Sequence, residues 1–346
     1  MTLLKDFADQ AKACRDLGSP FMGQLMSLFS KRLTPNSEVA HHLLSWQGDT
    51  SPTGASVPLR LASALHALVL EGKNGVLSDL YPPREVDDET LWSAIQDAFE
   101  RDRDFILNWL KSPPQTNEIR RSAILIASCH LLSDRFSLPT VLSELGASAG
   151  LNLLNDRMAL QIGDTCFAPE APILTLRPEW SGPLPPLAPY HIQERAGTDI
   201  NPLDPQRSDH LLRLMAYTWP DQPERLERLR LLAPHQKTQI ANKWASHWLQ
   251  KRLDHRYENA LHLVYHTIAW QYFPHDEQEA AQKALSRAGQ RATDKAPLAR
   301  LSMEADGNTP SASLDLTLWP RGEKYHLGRV DFHGRWVNWF GNVNPK

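Results

Sequence analysis

The sequence predicts a mixed α/β chain, with a helical N-terminal domain over about residues 1–136 and a sheet domain over about 137–346. Three observations carry this. From Leu3 to about Leu132, apolar residues recur at three- to four-residue steps. From Thr140 onward, short β-prone runs alternate with helical ones. Near the end, Leu314, Leu316 and Leu318 alternate with polar residues and turns follow, so the last strands are expected to be antiparallel.

In the first part, Trp92, Ile95, Phe99, Ile106, Trp109 and Leu110 form one apolar stripe, read as a single helix of roughly 22 residues. Glu100, Arg101, Asp102 and Arg103 fall on its wet side. Val57 to Leu70 is apolar nearly all round, which marks a buried helix, and Pro58 sits near its start, where a missing N–H costs little. Gly18-Ser19-Pro20, Thr34-Pro35, Tyr81-Pro82-Pro83 and Ser112-Pro113-Pro114 separate the helices.

The sheet domain begins with Thr140 to Ser143, a strand entered from Pro139. A turn of small residues, Glu144 to Gly150, leads into a helical run at Leu151. Met158 to Ile162 and Thr165 to Ala168 flank Gly163-Asp164, a hairpin signal, and the proline-rich Ser181 to Pro189 reads as a loop. Together about 158–189 is an inserted hairpin and loop. Further strands are expected at Ile173 to Leu176, His191 to Arg195, Thr238 to Ala241, Leu261 to His266 and Leu298 to Glu304. Helices are expected at Asp209 to Tyr217, Gln222 to Leu232, Trp244 to Leu253 and Asp276 to Ala288. Strands alternating with helices imply a parallel sheet with crossovers. Lys324 to Phe332 and Trp336 to Phe340, joined by His333-Gly334, close the antiparallel edge.

Composition narrows the function. The 346 residues carry 37 Lys+Arg and 40 Asp+Glu, a net charge of −3, which argues against broad electrostatic binding of nucleic acid. Three cysteines without a CxxC suit a reducing cytoplasm and exclude a disulfide scaffold. The most apolar run, Ala123 to Leu132, is about half the length a membrane span needs. The N-terminus lacks a signal-peptide layout. The expected setting is cytoplasmic, and the expected partner a small molecule. Adjacent His41 and His42 diverge on a helix, and neither they nor His247 and His255 have acidic or Cys partners at ligand spacing, so no metal is expected.

The turn at 144–150 carries the chemistry, and three readings stay open. One is a cofactor loop of the class I methyltransferase kind, an acid followed by Gly-x-Gly-x-Gly. Here the residues are Glu144, Gly146, Ser148 and Gly150, with Ala147 between and Asn152 in the next helical turn. Glycines let the backbone approach a ligand without a Cβ clash, and Glu144 could hold the cationic amino end of S-adenosylmethionine. The second is a hydrolase elbow, because Gly146 to Gly150 also fits G-x-S-x-G, with Ser148 as nucleophile and Asp306 or Asp315 with His333 as partners. The third is a tight turn of small residues that serves packing alone; for the whole chain, a non-catalytic nucleotide-binding protein is the further alternative.

Several stretches together carry a family resemblance. They are Gln115-Thr116-Asn117-Glu118 with Arg121-Ser122, Ser143 to Leu153, Gly197-Thr198-Asp199, Trp219-Pro220-Asp221-Gln222 and His333 to Val337. With these the chain resembles the bacterial domain of unknown function 2332 family. The resemblance implies a helical N-terminal domain plus a Rossmann-like, class I methyltransferase-type sheet with an antiparallel C-terminal edge, and no established reaction. It also implies that Gln115, Asn117 and Arg121 fold over the cofactor pocket; capping of the following helix is the competing role. Where relatives tend to show an acidic turn after the third strand, this chain has Asn242-Lys243-Trp244. Asn242 would then have to meet the adenine amino group.

Other candidates follow from strand ends. A ribose-binding acid is expected after the second parallel strand, roughly twenty residues past the glycine loop. Asp164 has that spacing but sits in a hairpin turn. Asp199 follows the better strand and is preferred, with helix capping as its alternative role. Tyr265, His266 and Thr267 end a central strand, where ligands bind, so they are expected to face a methyl acceptor with His266 as general base. A satisfied structural histidine is the alternative.

Overall fold

A computed structural model describes residues 2–308 and 310–341. The chain is mixed α/β, with a helical N-terminal region and a large, mostly parallel sheet. It divides into two compact units, one up to Thr116 together with Arg207–Leu229, the other Asn117–Gln206 together with the chain from Arg230.

The helical unit holds α1 (Leu3–Asp16), α2 (Pro20–Arg32), α3 (Glu38–Leu44), α4 (Val57–Leu70), α5 (Gly75–Leu80), α6 (Asp88–Arg101) and α7 (Arg103–Leu110). Its starts are capped as small polar residues cap helices: Ser19, Ser37, Asn74 and Asp87 accept the free N–H groups of α2, α3, α5 and α6. The central α4 is buried nearly all round, as its sequence predicts. The stripe from Trp92 to Leu110 is two helices rather than one. They part at Asp102, whose backbone leaves helical geometry and whose carboxylate accepts a 2.6 Å bond from the Asn74 amide.

The next helix, α8 (Ser122–Phe136), belongs to the sheet unit, so the units part at 116/117 and not at 136/137. Later, α9 (Ser208–Ala216) returns to the helical unit, where Ala216 and Trp219 join the core and the Ala216 carbonyl bonds His66. The next, α10 (Pro223–Leu232), spans the division.

The strands are β1 (Thr140–Leu145), β2 (Met158–Ile162), β3 (Thr165–Phe167), β4 (Leu174–Leu176), β5 (Glu179–Ser181), β6 (Ile192–Asp199), β7 (Ala241–Asn242), β8 (Leu261–Thr267), β9 (Leu298–Ala305), β10 (Ser311–Trp319), β11 (Glu323–Asp331) and β12 (Trp336–Trp339). Among the described residues nine of them form one sheet, in the order β5-β12-β11-β10-β9-β8-β1-β6-β7. The run from β7 to β9 is parallel, and β9 to β12 is an antiparallel meander. The expected hairpin is β2–β3, turned at Gly163-Asp164, and β4 joins it in a separate three-stranded sheet. The remaining helices, α11 (Ala245–Asp254) and α12 (His275–Arg291), cover one face of the large sheet and bury Leu145, Val264 and Leu298. No helix among the described residues is long and apolar enough to cross a membrane.

Side chains alternate along a strand, and this alternation sorts the site residues. Leu145 and Val264 face α11 and α12. Glu144 and Tyr265, one residue away and paired in register, therefore face the opposite side, and His266 shares the side of Val264.

The edge strand β5 depends on one glycine. Gly182 has φ +97°, and a Cβ there would lie 1.8 Å from the Trp339 carbonyl oxygen. Gly182→Ala should detach β5, at a cost of about 1–3 kcal/mol. The Trp180–Trp339 pair, with centroids 5.7 Å apart, should then open, giving a red-shifted fluorescence maximum and a lower urea midpoint.

Candidate functional site

Strand order reverses at β1: β6 and β7 lie to one side, β8 and β9 to the other. In open parallel sheets the crevice outside such a reversal receives ligands. The turn at 146–150 stands there. Gly146, Ser148 and Gly150 all have positive φ, +69°, +51° and +70°. Glycine takes this shape freely; Ser148 does so at a cost, typical of a built site.

The turn does not offer a row of bare amides. Gly146 and Ala147 both donate their N–H to the Thr198 carbonyl, at 2.9 and 3.0 Å. Ser148 N–H donates to Asp199 Oδ2 at 2.8 Å, Gly150 N–H to the Ala147 carbonyl and Leu151 N–H to Asn117 Oδ1 at 3.0 Å. The buried Gln236 amide donates to the Ala149 and Gly150 carbonyls. The turn is thus locked to β6 from within. Added Cβ atoms would find Ala269 at 2.6 Å from Gly146, and Gln236 and Ile240 at 2.3 and 2.5 Å from Gly150.

What the site does offer is unanswered polar side-chain atoms. Glu144 is 2% exposed, and its Oε2 has no hydrogen-bond partner. Ser148 Oγ is likewise buried without a partner, and the buried Tyr265 hydroxyl lies beside the Glu144 carboxyl. Such atoms are uncommon and call for a ligand or water. Burial pushes the Glu144 carboxyl up to about 8; the Tyr265 hydroxyl draws it down, Asp199 raises it, and Arg121 and the Asn152 amide lower it. Asn152 is oriented for this: Ser122 Oγ donates to its Oδ1 at 2.7 Å, leaving its NH2 to donate elsewhere.

Asp199 ends β6, as expected, and Asp164 lies in the β2–β3 turn. Asp199 does not cap α9, which starts at Ser208. Its carboxylate accepts from Ser148 N–H and Asn201 N–H, both at 2.8 Å. Asn242 ends β7 beside Asp199, is exposed, and donates to the Ile200 carbonyl at 3.0 Å. Arg121 donates to the carbonyls of Thr267 (2.8 Å) and Phe332 (2.9 Å). Asn117 belongs to the sheet unit and Gln115 to the helical one.

His266 is not placed as a base. It is 0% exposed. Its Nε2 accepts from the Arg300 guanidinium at 2.9 and 3.1 Å, so the ring proton sits on Nδ1 and is donated to Glu304 Oε1 at 2.7 Å. Burial lowers its pKa further below the ordinary range, against the pull of Glu304. Both nitrogens are engaged, on the face opposite Tyr265, so the two residues do not converge on one acceptor.

The hydrolase arrangement is not assembled either. Ser148 Oγ meets no histidine. Asp306 is held by Arg329 at 2.8 and 3.0 Å, Asp315 by His326 at 2.9 Å, and the His333 N–H donates to Asp331. No group of three or more His, Cys, Asp or Glu among the described residues could hold a metal ion.

Sequence reasoning missed Thr198, Gln236, Ser122 and Glu304. Glu304 had a readable signal, an acid near the carboxyl end of the strand beside β8.

Gly146→Ala should cost about 1–2 kcal/mol for the left-handed backbone alone, and more for the contact with Ala269, read as a lower urea midpoint. No curated protein matches the chain. The model of a family described as an uncharacterized protein conserved in bacteria matches residues 4–339. By this near-complete match the chain belongs to the DUF2332 family.

Proposed function

We propose that the sheet unit, a Rossmann-like domain of class I methyltransferase type, binds S-adenosylmethionine at the β1 turn and serves transfer of its sulfonium methyl to a small-molecule nucleophile. The observation that carries this is the buried Glu144 carboxylate with an unanswered oxygen, at the point where the strand order reverses. The order β7-β6-β1-β8-β9 also places Asp199 and Asn242 at successive strand ends on the same side of Glu144.

The residues fit such a ligand. Glu144 would hold the ammonium of its amino acid end, and Ser148 Oγ or Tyr265 Oη the neighbouring carboxylate. Asp199, which ends β6 and accepts the Ser148 and Asn201 N–H bonds, would meet a ribose hydroxyl. Asn242 stands where the base would lie. When bound, S-adenosylmethionine supplies a methyl group already activated by the positive sulfur. The protein then contributes proximity and orientation. No side chain is assigned as base, because both His266 nitrogens are engaged.

Two measurements test this. In melting curves, S-adenosylhomocysteine at 100 times its Kd should stabilise the protein by about 2.7 kcal/mol, with the shift lost in Glu144→Gln. A shift with NAD or ATP and none with S-adenosylhomocysteine overturns the reading; binding without turnover of any acceptor would favour a non-catalytic binding protein. The second measurement concerns pH. The Glu144 pKa is raised from 4.5 in the unfolded chain to about 8 in the fold, so the folded state holds an extra proton between those values. Its contribution to stability is fully present below the lower value and lost as pH rises through the higher one. The ligand-free protein should therefore lose stability as pH rises toward 8, and Glu144→Gln should flatten that fall.

A further inference from the structure

We propose that Glu304 and His266 are positioning residues for the site, holding the turn after β8 in the strained shape that seats Ala269 against Gly146. The proposal rests on the ligand reading above and adds what sets the shape of that crevice.

The turn contains an outlier. Ile268 has φ +50°, a left-handed backbone that β-branched residues almost never adopt. Such a shape is strained and persists only where the surroundings over-determine it. Here they do. Arg121 holds the Thr267 carbonyl, and Ile268 N–H donates to the Met303 carbonyl at 2.8 Å. Glu304 Oε1 then takes three donors: Ala269 N–H at 3.0 Å, Trp270 N–H at 3.1 Å and His266 Nδ1 at 2.7 Å. The His266 ring stacks on Trp270 with centroids 4.9 Å apart, and the Arg300 guanidinium lies 4.3 Å over the same indole. Gln278 fixes the far end through the carbonyls of Trp270 and Phe273.

The turn so fixed abuts the other one. A Cβ on Gly146 would meet the Ala269 Cβ at 2.6 Å, with Phe273 at 3.8 Å. The two turns leave the carboxyl ends of adjacent strands at the reversal, so the Glu304 carboxylate sets the separation of the crevice walls. A glycine at 268 would make the same turn without strain. That isoleucine is held there by a buried carboxylate and a neutral histidine marks a shape imposed for a purpose.

The test is titration of S-adenosylhomocysteine into the wild type, Glu304→Ala, Glu304→Gln and a control, Leu316→Ala, which opens the meander core without touching the turn. Hydrogen exchange at the Ala269 and Trp270 amides is followed in parallel. Glu304→Ala should raise Kd at least tenfold and speed both amides. Glu304→Gln, which keeps an acceptor oxygen, should recover most of the affinity. Leu316→Ala should melt lower with Kd unchanged. Where Glu304→Ala does not fold, Ile268→Gly relaxes the turn instead, and should bind more weakly at an equal or higher melting temperature. Wild-type binding with Glu304→Ala or Ile268→Gly equal to it overturns the positioning role alone. A wild type that binds no S-adenosylhomocysteine overturns the ligand reading.

Discussion

The closure of the turn after β1 onto β6 is the constraint on which the site depends. One carbonyl, Thr198, takes two consecutive N–H groups, and the next residue in sequence, Asp199, takes the third with its carboxylate. Gln236 pins the far end from below. Because the N–H groups of Gly146, Ala147, Ser148, Gly150 and Leu151 already have acceptors, the turn is not an open nest for an anion. In the proposed function, recognition falls instead to side chains that the lock leaves unanswered. Glu144 is chief among them, because burial raises its carboxyl to about 8 and a cation beside its Oε2 would let it ionise.

This changes the chemistry expected at the reversal of strand order. A row of amides favours phosphate; a buried carboxylate favours a cation. The same lock gives Asp199 two tasks. Its Oδ2 anchors the turn through Ser148 N–H, its Oδ1 holds Asn201 N–H, and in the proposed function it also meets the ligand. Removing it would disturb turn and ligand together, so its loss alone would say little about ligand contact. Glu144 separates the two better, since no described hydrogen bond of the fold uses its Oε2.

Much of the fold was legible because it follows local rules. The bounds of α4, the β2–β3 hairpin and the meander all come from periodicity and turn residues. The break at Asp102 was not, because the Asn74 amide that holds its carboxylate is distant in the chain. Nor was the division at 116/117, which depends on where α8 packs, not on its composition. In the candidate site, Glu144 and Gly146 stand out by their spacing, Asp199 by its place at a strand end and Asn242 through the family resemblance, whereas Thr198, Gln236 and Glu304 act through contacts between segments far apart in the chain. His266 is the instructive case. Strand alternation already says that it and Tyr265 cannot face the same way, and Arg300 and Glu304 make it a strut of the turn.

The central claim is that the unanswered oxygen of Glu144 receives a cationic group. Calorimetric titration of S-adenosylmethionine at pH 7, in two buffers of different ionisation enthalpy, tests it most directly. The carboxyl starts mostly protonated and must ionise to hold an ammonium, so binding should release close to one proton, and none in Glu144→Gln. Tight binding with no proton released by the wild type would contradict the account.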